Sequence, residues 1–208
     1  MLKAKHLFIF YHFFRLHSLW NIKRNFHKIE IHGEFIEKEK PILIIANHMS
    51  WWDGFWVVYF RQKVVKRKFH FMMLEEQLQK NWFLRFAGGF SINKKSKTII
   101  DTLQYTQSLL ENPKNMVLVF PQGKIESHYQ TSLTFEKGIQ KIVTRSKNAQ
   151  IIFTVHLIDY FSFKKPTLFI YFKEWIPIKS QEDIEEQYNI FYKACLEIQK
   201  QKTEWPLF

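Results

Sequence analysis

Cysteine is almost absent: Cys195 stands alone in 208 residues, which excludes an internal disulfide and any zinc site built on cysteines. A reducing compartment fits that usage. Glycine and proline are also scarce, at 6 each, and no low-complexity arm, internal repeat or linker marks a domain boundary. One domain with a substantial core follows from that length. Acidic side chains are outnumbered, 19 against 31 basic, for a net charge of +12. The imbalance favours an anionic partner, whether nucleic acid, acidic lipid headgroups or a phosphorylated substrate. The apolar stretch over residues 7–16 is broken by His12 and Arg15 and is too short and too polar for a spanning helix. No small-residue cleavage site follows it, which argues against a signal peptide. Missing as well are a G-x-S-x-G elbow, an H-E-x-x-H pair and a G-x-x-x-x-G-K-[ST] loop.

Aromatics are in surplus. Phenylalanine alone contributes 22 residues and tryptophan 7, more than a core usually needs, which points to an apolar partner surface. Residues 1–25 concentrate Phe and Trp between Lys3, Lys5, Lys23 and Arg24. That stretch reads as an amphipathic membrane-associating helix lying in the interface. It also fits an amphipathic helix packed on the domain, which then occupies residues 26–208.

The Ile-rich run Pro41–Ile42–Leu43–Ile44–Ile45–Ala46 ends in a polar turn, the pattern of a buried strand. Met116–Val117–Leu118–Val119–Phe120 repeats the pattern. Residues 26–46 read as two strands around a turn at Gly33, with His27 and His32 facing solvent. Residues 54–60 read as a helix, 61–68 as a solvated basic turn, 69–74 as a strand and 77–86 as a short helix. Residues 88–94 form a glycine-marked turn entering an extended piece, and 98–110 form a helix stopping before Pro113. A helix over 135–147, strands over 151–157 and 166–172, and a closing amphipathic helix over 181–202 complete the chain. The alternation gives a single α/β domain with a mixed, mainly parallel sheet flanked by helices. Ligands of such sheets bind at the carboxyl ends of strands. Two polar loops fall there, after Ala46 and after Phe120.

The first loop carries Asn47–His48–Met49–Ser50–Trp51–Trp52–Asp53. Five residues along a continuous helix turn the side chain by about 140°, so His48 and Asp53 meet only if His48 lies in the loop and Asp53 opens the next helix. They would then form a general base, the neutral imidazole taking a proton from a hydroxyl or water while the carboxylate fixes its tautomer. With nine histidines and four aspartates in the chain, an H-x4-D pair arises by chance in about one such sequence in six. The same residues also fit a strand-end histidine bonded to backbone and an ordinary helix N-cap. The second loop, Pro121–Gln122–Gly123–Lys124–Ile125–Glu126–Ser127, places a glycine where backbone can approach a ligand and a lysine that offers positive charge. Pro-x-Gly is equally a common turn. A histidine base without a serine nucleophile points to direct attack by the substrate's own hydroxyl.

These blocks resemble those of the glycerolipid acyltransferase family, which includes the 1-acylglycerol-3-phosphate acyltransferases. Asn47–His48 with Asp53 matches the family's N-H-x4-D block. Gly89–Phe90–Ser91–Ile92–Asn93–Lys94 is similar to the second block, with Lys94 where Arg is usual. Phe120–Pro121–Gln122–Gly123–Lys124–Ile125–Glu126–Ser127 is similar to the F-P-E-G-T-R-S block, with Gln122 for Glu and Lys124–Ile125 for Thr-Arg. Phe135–Glu136–Lys137–Gly138 resembles the F-K-x-G that follows. Thr154–Val155–His156–Leu157 lacks the proline of the fourth block. The resemblance implies transfer of a fatty acyl group from a coenzyme A or acyl-carrier-protein thioester to a hydroxyl of a lysophospholipid or related lipid. His48 would be the base and Asp53 its orienting partner, with Asn47, Lys94, Gln122, Gly123 and Lys124 facing the acceptor. No metal or prosthetic group is implied, and the partners are membrane lipids and the thioester donor rather than nucleic acid. The expected location is the cytoplasmic face of a membrane, peripheral or monotopic. Arg grips a phosphate with a planar fork and Lys as a point charge, so the departures leave lysophosphatidate and other hydroxylated lipids open as acceptors. A catalytically inactive lipid-binding relative and a basic nucleic-acid-binding protein are the competing classes.

Overall fold

Buried strands at the centre of a parallel sheet are apolar on both faces, and two strands of this chain have that composition. In the computed structural model, which describes residues 1–93, 99–177 and 183–203, they lie side by side. The elements run α1 (Phe8–Asn25), β1 (Lys28–His32), β2 (Ile42–Ala46), α2 (Asp53–Phe60), β3 (Lys68–Leu74), α3 (Glu75–Lys80), β4 (Gly89–Ile92), α4 (Ile99–Leu109), β5 (Asn115–Val119), α5 (Gly138–Arg145), β6 (Gln150–Asp159), β7 (Thr167–Trp175) and α6 (Ile184–Lys200). Seven strands form one sheet in the order β1-β7-β6-β2-β5-β3-β4. Strands β2 to β6 are parallel, and β7, antiparallel to β6, carries β1 parallel to itself at the edge.

All five residues of β2 are fully buried. Alternation sends Leu43 and Ile45 to one side, where Leu103 of α4, Ile139 and Ile142 of α5 and Tyr188 and Tyr192 of α6 pack. Ile42, Ile44 and Ala46 face the other side, against Ile22 of α1 and Trp56, Val57 and Phe60 of α2. A helix–sheet–helix sandwich results, with the carboxyl ends of β2, β5 and β6 adjacent in its middle.

Several expected elements are redrawn. Residues 26–46 do form two strands, but β7 and β6 lie between them, because β1 satisfies its backbone at the sheet edge. The helix expected over 77–86 is two pieces: α3 starts earlier, Asn81 (φ −114°, ψ 51°) breaks it, and a 3-10 turn runs Trp82–Ala87. The 61–68 stretch is not a solvated turn throughout. Val65 is fully buried beneath a wide π-type turn, which ends at Lys66 in the left-handed region. The helix expected over 135–147 is shorter, at Gly138–Arg145.

Helix α1 has apolar side chains on two opposite faces rather than one. Ser18 and Ile22 are buried and Phe14 stacks on Phe83. On the far side Ile9, Phe13, Leu16 and Trp20, spaced four, three and four residues apart, form one exposed stripe. No helix among the described residues is long and apolar enough to cross a membrane.

Candidate active site

The chain leaves β2 at Ala46, turns through residues 47–52 and begins α2 at Asp53. This junction joins the two side chains that sequence spacing alone leaves apart. His48 Nδ1 donates to Asp53 Oδ2 at 2.6 Å. The same oxygen accepts the backbone N–H of Met49 at 2.8 Å and of Ser50 at 2.9 Å. Asp53 is wholly buried, and the His48 side chain keeps 23% exposure. Burial pushes the Asp53 carboxyl above its ordinary range, and the hydrogen bonds from His48, Ser50 and Met49 pull it back. An ionised carboxylate only accepts. The bond therefore puts the His48 proton on Nδ1 and leaves Nε2 with its lone pair. Phe120, the first residue after β5, stacks on the imidazole at 4.2 Å and 12°. That contact fixes the ring plane.

The remaining expected residues divide by orientation. Asn47 is buried; its amide donates to the His156 carbonyl at 2.9 Å and accepts the His156 N–H at 2.8 Å, tying the end of β2 to β6. Gln122 is also buried and accepts the His48 N–H through Oε1 at 2.6 Å. Asn47 and Gln122 thus hold the loops and spend their amides on protein. Gly123 adopts φ 62°, a left-handed conformation that glycine takes without strain. The Lys124 side chain is exposed and its Nζ lies 2.8 Å from Glu126 Oε1. Lys94 falls outside the described residues.

Helix α6 clamps the long segment after β5. Asn189 accepts the Leu133 N–H at 2.7 Å and donates to its carbonyl at 2.8 Å. Glu185 accepts the Phe135 N–H at 2.8 Å, and the Tyr192 hydroxyl donates to the Gln130 carbonyl.

Sequence spacing misses the polar seam behind the dyad. His156 is fully buried on β6, with its ring edge-on to Trp56 at 5.5 Å. Burial, with a smaller contribution from His48, drops its pKa to about 3, so it is neutral at working pH. Both its ring nitrogens, Asp53 Oδ1, Trp56 Nε1 and Thr154 Oγ1 are buried without a hydrogen-bond partner among the described residues. The sequence signal on this strand is that Thr154–Val155–His156–Leu157 lacks the proline of the block it resembles. An open cavity of about 920 Å³, lined by Gly33, Phe35, Lys63 and Phe172 among others, touches none of these groups.

A base whose second nitrogen has no hydrogen bond among the described residues, set at a strand end, oriented by a buried carboxylate and flanked by a clamped loop, can activate a hydroxyl for attack on a carbonyl. A family model described as Acyltransferase matches residues 28–158, from β1 into β6, and takes in the dyad and the block after β5. A search of curated proteins returns no match. Matched over well more than half its length, the chain belongs to the glycerolipid acyltransferase family and carries an acyltransferase domain.

Proposed function

We propose that this protein moves a fatty acyl group from a coenzyme A or acyl-carrier-protein thioester to a hydroxyl of a lysophospholipid or related lipid at a membrane surface. The observation that carries the proposal is the 2.6 Å His48–Asp53 bond, with Nε2 left free of hydrogen bonds among the described residues. Nε2 takes the proton of the acceptor hydroxyl as its oxygen bonds to the thioester carbonyl carbon. The C–S bond breaks as the tetrahedral intermediate collapses, and the imidazolium returns the proton to the leaving thiolate. Asp53 holds the ring in the Nδ1–H tautomer and stabilises its positive form. The segment 121–127 lies over the same loop and is the natural wall for the acceptor head.

Membrane docking is supported by the exposed stripe of α1 and by Trp51, exposed in the loop that carries His48 and packed on Phe55 at 4.7 Å. Arg24, over the Trp20 ring at 5.1 Å, places cationic charge at the stripe's end. Aromatic side chains with neighbouring cations suit an anionic lipid interface.

Mass spectrometry of the esters formed from long-chain acyl-coenzyme A or acyl carrier protein, offered with lysophospholipid and glycolipid acceptors, tests the proposal. A new ester on one acceptor class supports it. Thioester hydrolysis without ester formation on any acceptor, from either donor, contradicts it.

A further inference from the structure

The block after β5 holds the backbone of His48 as well as its ring. The His48 N–H donates to Gln122 Oε1 at 2.6 Å. The His48 carbonyl accepts the Glu126 N–H at 2.9 Å and, at a longer 3.5 Å, Gln122 Nε2. Gln122 Nε2 also donates to Glu126 Oε2 at 2.8 Å, which closes a ring of contacts across the two loops. Gln122 is 3% exposed, so water does not substitute for either partner. Its two ends do opposite work, one accepting from a backbone N–H and the other donating to a carboxylate. A planar amide does both, and a carboxylate accepts only. A carboxylate at position 122 would still receive the His48 N–H but would face Glu126 with no proton between them. Lys124 and Gln122 hold Glu126 below the ordinary glutamate range, so it stays charged.

We propose that Gln122 is a positioning residue of the dyad, its amide locked between the His48 N–H and the Glu126 carboxylate so that the imidazole starts from the backbone position that reaches Asp53. Gln122 and Glu126 form a coupled pair: the carboxylate absent at 122 has its counterpart at 126. Gln122 acts through His48 rather than on the acceptor. The kinetic consequence rests on the acyl-transfer reading above; the geometric one does not.

The test compares the full-length protein with Gln122→Glu, Glu126→Gln and the double exchange Gln122→Glu/Glu126→Gln. Gln122→Glu lowers kcat for ester formation at least about tenfold, the scale expected when a base is displaced by a fraction of an ångström. Acceptor KM stays within about twofold, as for a residue that does not bind substrate. The double exchange restores donor–acceptor order and returns kcat to within about threefold of the unaltered protein, an interaction that independent sites would not show. In parallel, NMR follows the His48 backbone amide proton, which lies at low field for a bond this short and moves upfield in Gln122→Met. Wild-type kcat in Gln122→Glu, a double exchange no better than the single, a shift in acceptor KM alone, or an unmoved His48 amide in Gln122→Met each overturns the proposal. If the unaltered protein makes no ester, the acyl-transfer reading fails and the NMR arm alone decides the role of Gln122.

Discussion

Replacing Asp53 with asparagine separates what the carboxylate does for catalysis from what it does for folding. In the native site Oδ2 accepts three N–H groups, from His48, Met49 and Ser50. All three bond to that one oxygen, so an asparagine oxygen in its place keeps the donors but carries no charge. The imidazolium that forms when His48 takes the acceptor's proton then lacks its counter-charge. Loss of general-base action of roughly 10²–10⁴ in kcat follows, or about 2.7–5.4 kcal/mol of activation free energy. Stability should behave differently. Burial is the largest influence on Asp53 and raises its pKa, so the folded state resists ionising it. A carboxyl with a raised folded pKa contributes stability fully below its unfolded pKa and loses that contribution as pH rises through the folded value. Asp53→Asn removes the loss, so its melting temperature relative to wild type should be higher at pH 8 than at pH 4. Steady-state kinetics with thermal melts at the two pH values provide the assay. A kcat within about threefold of wild type would refute the counter-charge role of Asp53. A melting temperature depressed most at pH 8 would make Asp53 a structural anchor instead.

Acid stability offers a second check, because burial drops both His156 and His70 to about 3. The unfolded chain protonates these rings from their ordinary value, about 6.5, downward while the folded protein does not. Their contribution is thus complete above that value and is lost as pH falls toward 3, at about 1.4 kcal/mol per pH unit for each. Urea titrations at pH 6.0 and 5.0 should show a combined loss of about 2–3 kcal/mol, and His156→Gln should remove about half of the slope; an unchanged slope in that variant contradicts the burial argument. At the surface, Phe13→Ser/Trp20→Ser should leave the melt unchanged, since both side chains are more than half exposed. It should weaken flotation with anionic vesicles at least about tenfold, given roughly 1.5–3 kcal/mol for each aromatic buried. Equal flotation would remove α1 from the docking face.

How far the sequence reaches depends on what kind of physics sets each feature. Ile42–Ala46 and Met116–Val119 were readable because a central parallel strand needs apolar residues on both faces, and composition records that directly. The His48–Asp53 pairing was readable because only one local geometry joins residues five apart, a loop histidine with an aspartate at a helix start. Neighbours in space leave no such mark. Nothing in Lys28–His32 says that it pairs with β7 at the far edge rather than with β2, since parallel partners are chosen by tertiary packing. Asn47 and Gln122 look like polar residues for a substrate; which backbone their amides satisfy depends on a strand 109 residues away for the first and a loop 74 residues away for the second. His156 sits in an apolar run, and the burial of its ring nitrogens without partners among the described residues is a property of the surrounding seam rather than of the pattern. The opposed apolar faces of α1 escaped for a related reason: periodicity reports where hydrophobic residues lie, and the same helix uses one face for the core and shows the other.

The most direct test of the central claim is turnover of His48→Ala beside the unaltered protein on acceptor-loaded vesicles, with ester formation followed by mass spectrometry and vesicle binding measured in the same samples. The account predicts a fall in turnover of roughly 10²–10⁴ with binding unchanged. Near-wild-type ester formation by the variant would show that the proton leaves the acceptor by another route and that the His48–Asp53 pair is a structural feature of the β2–α2 junction.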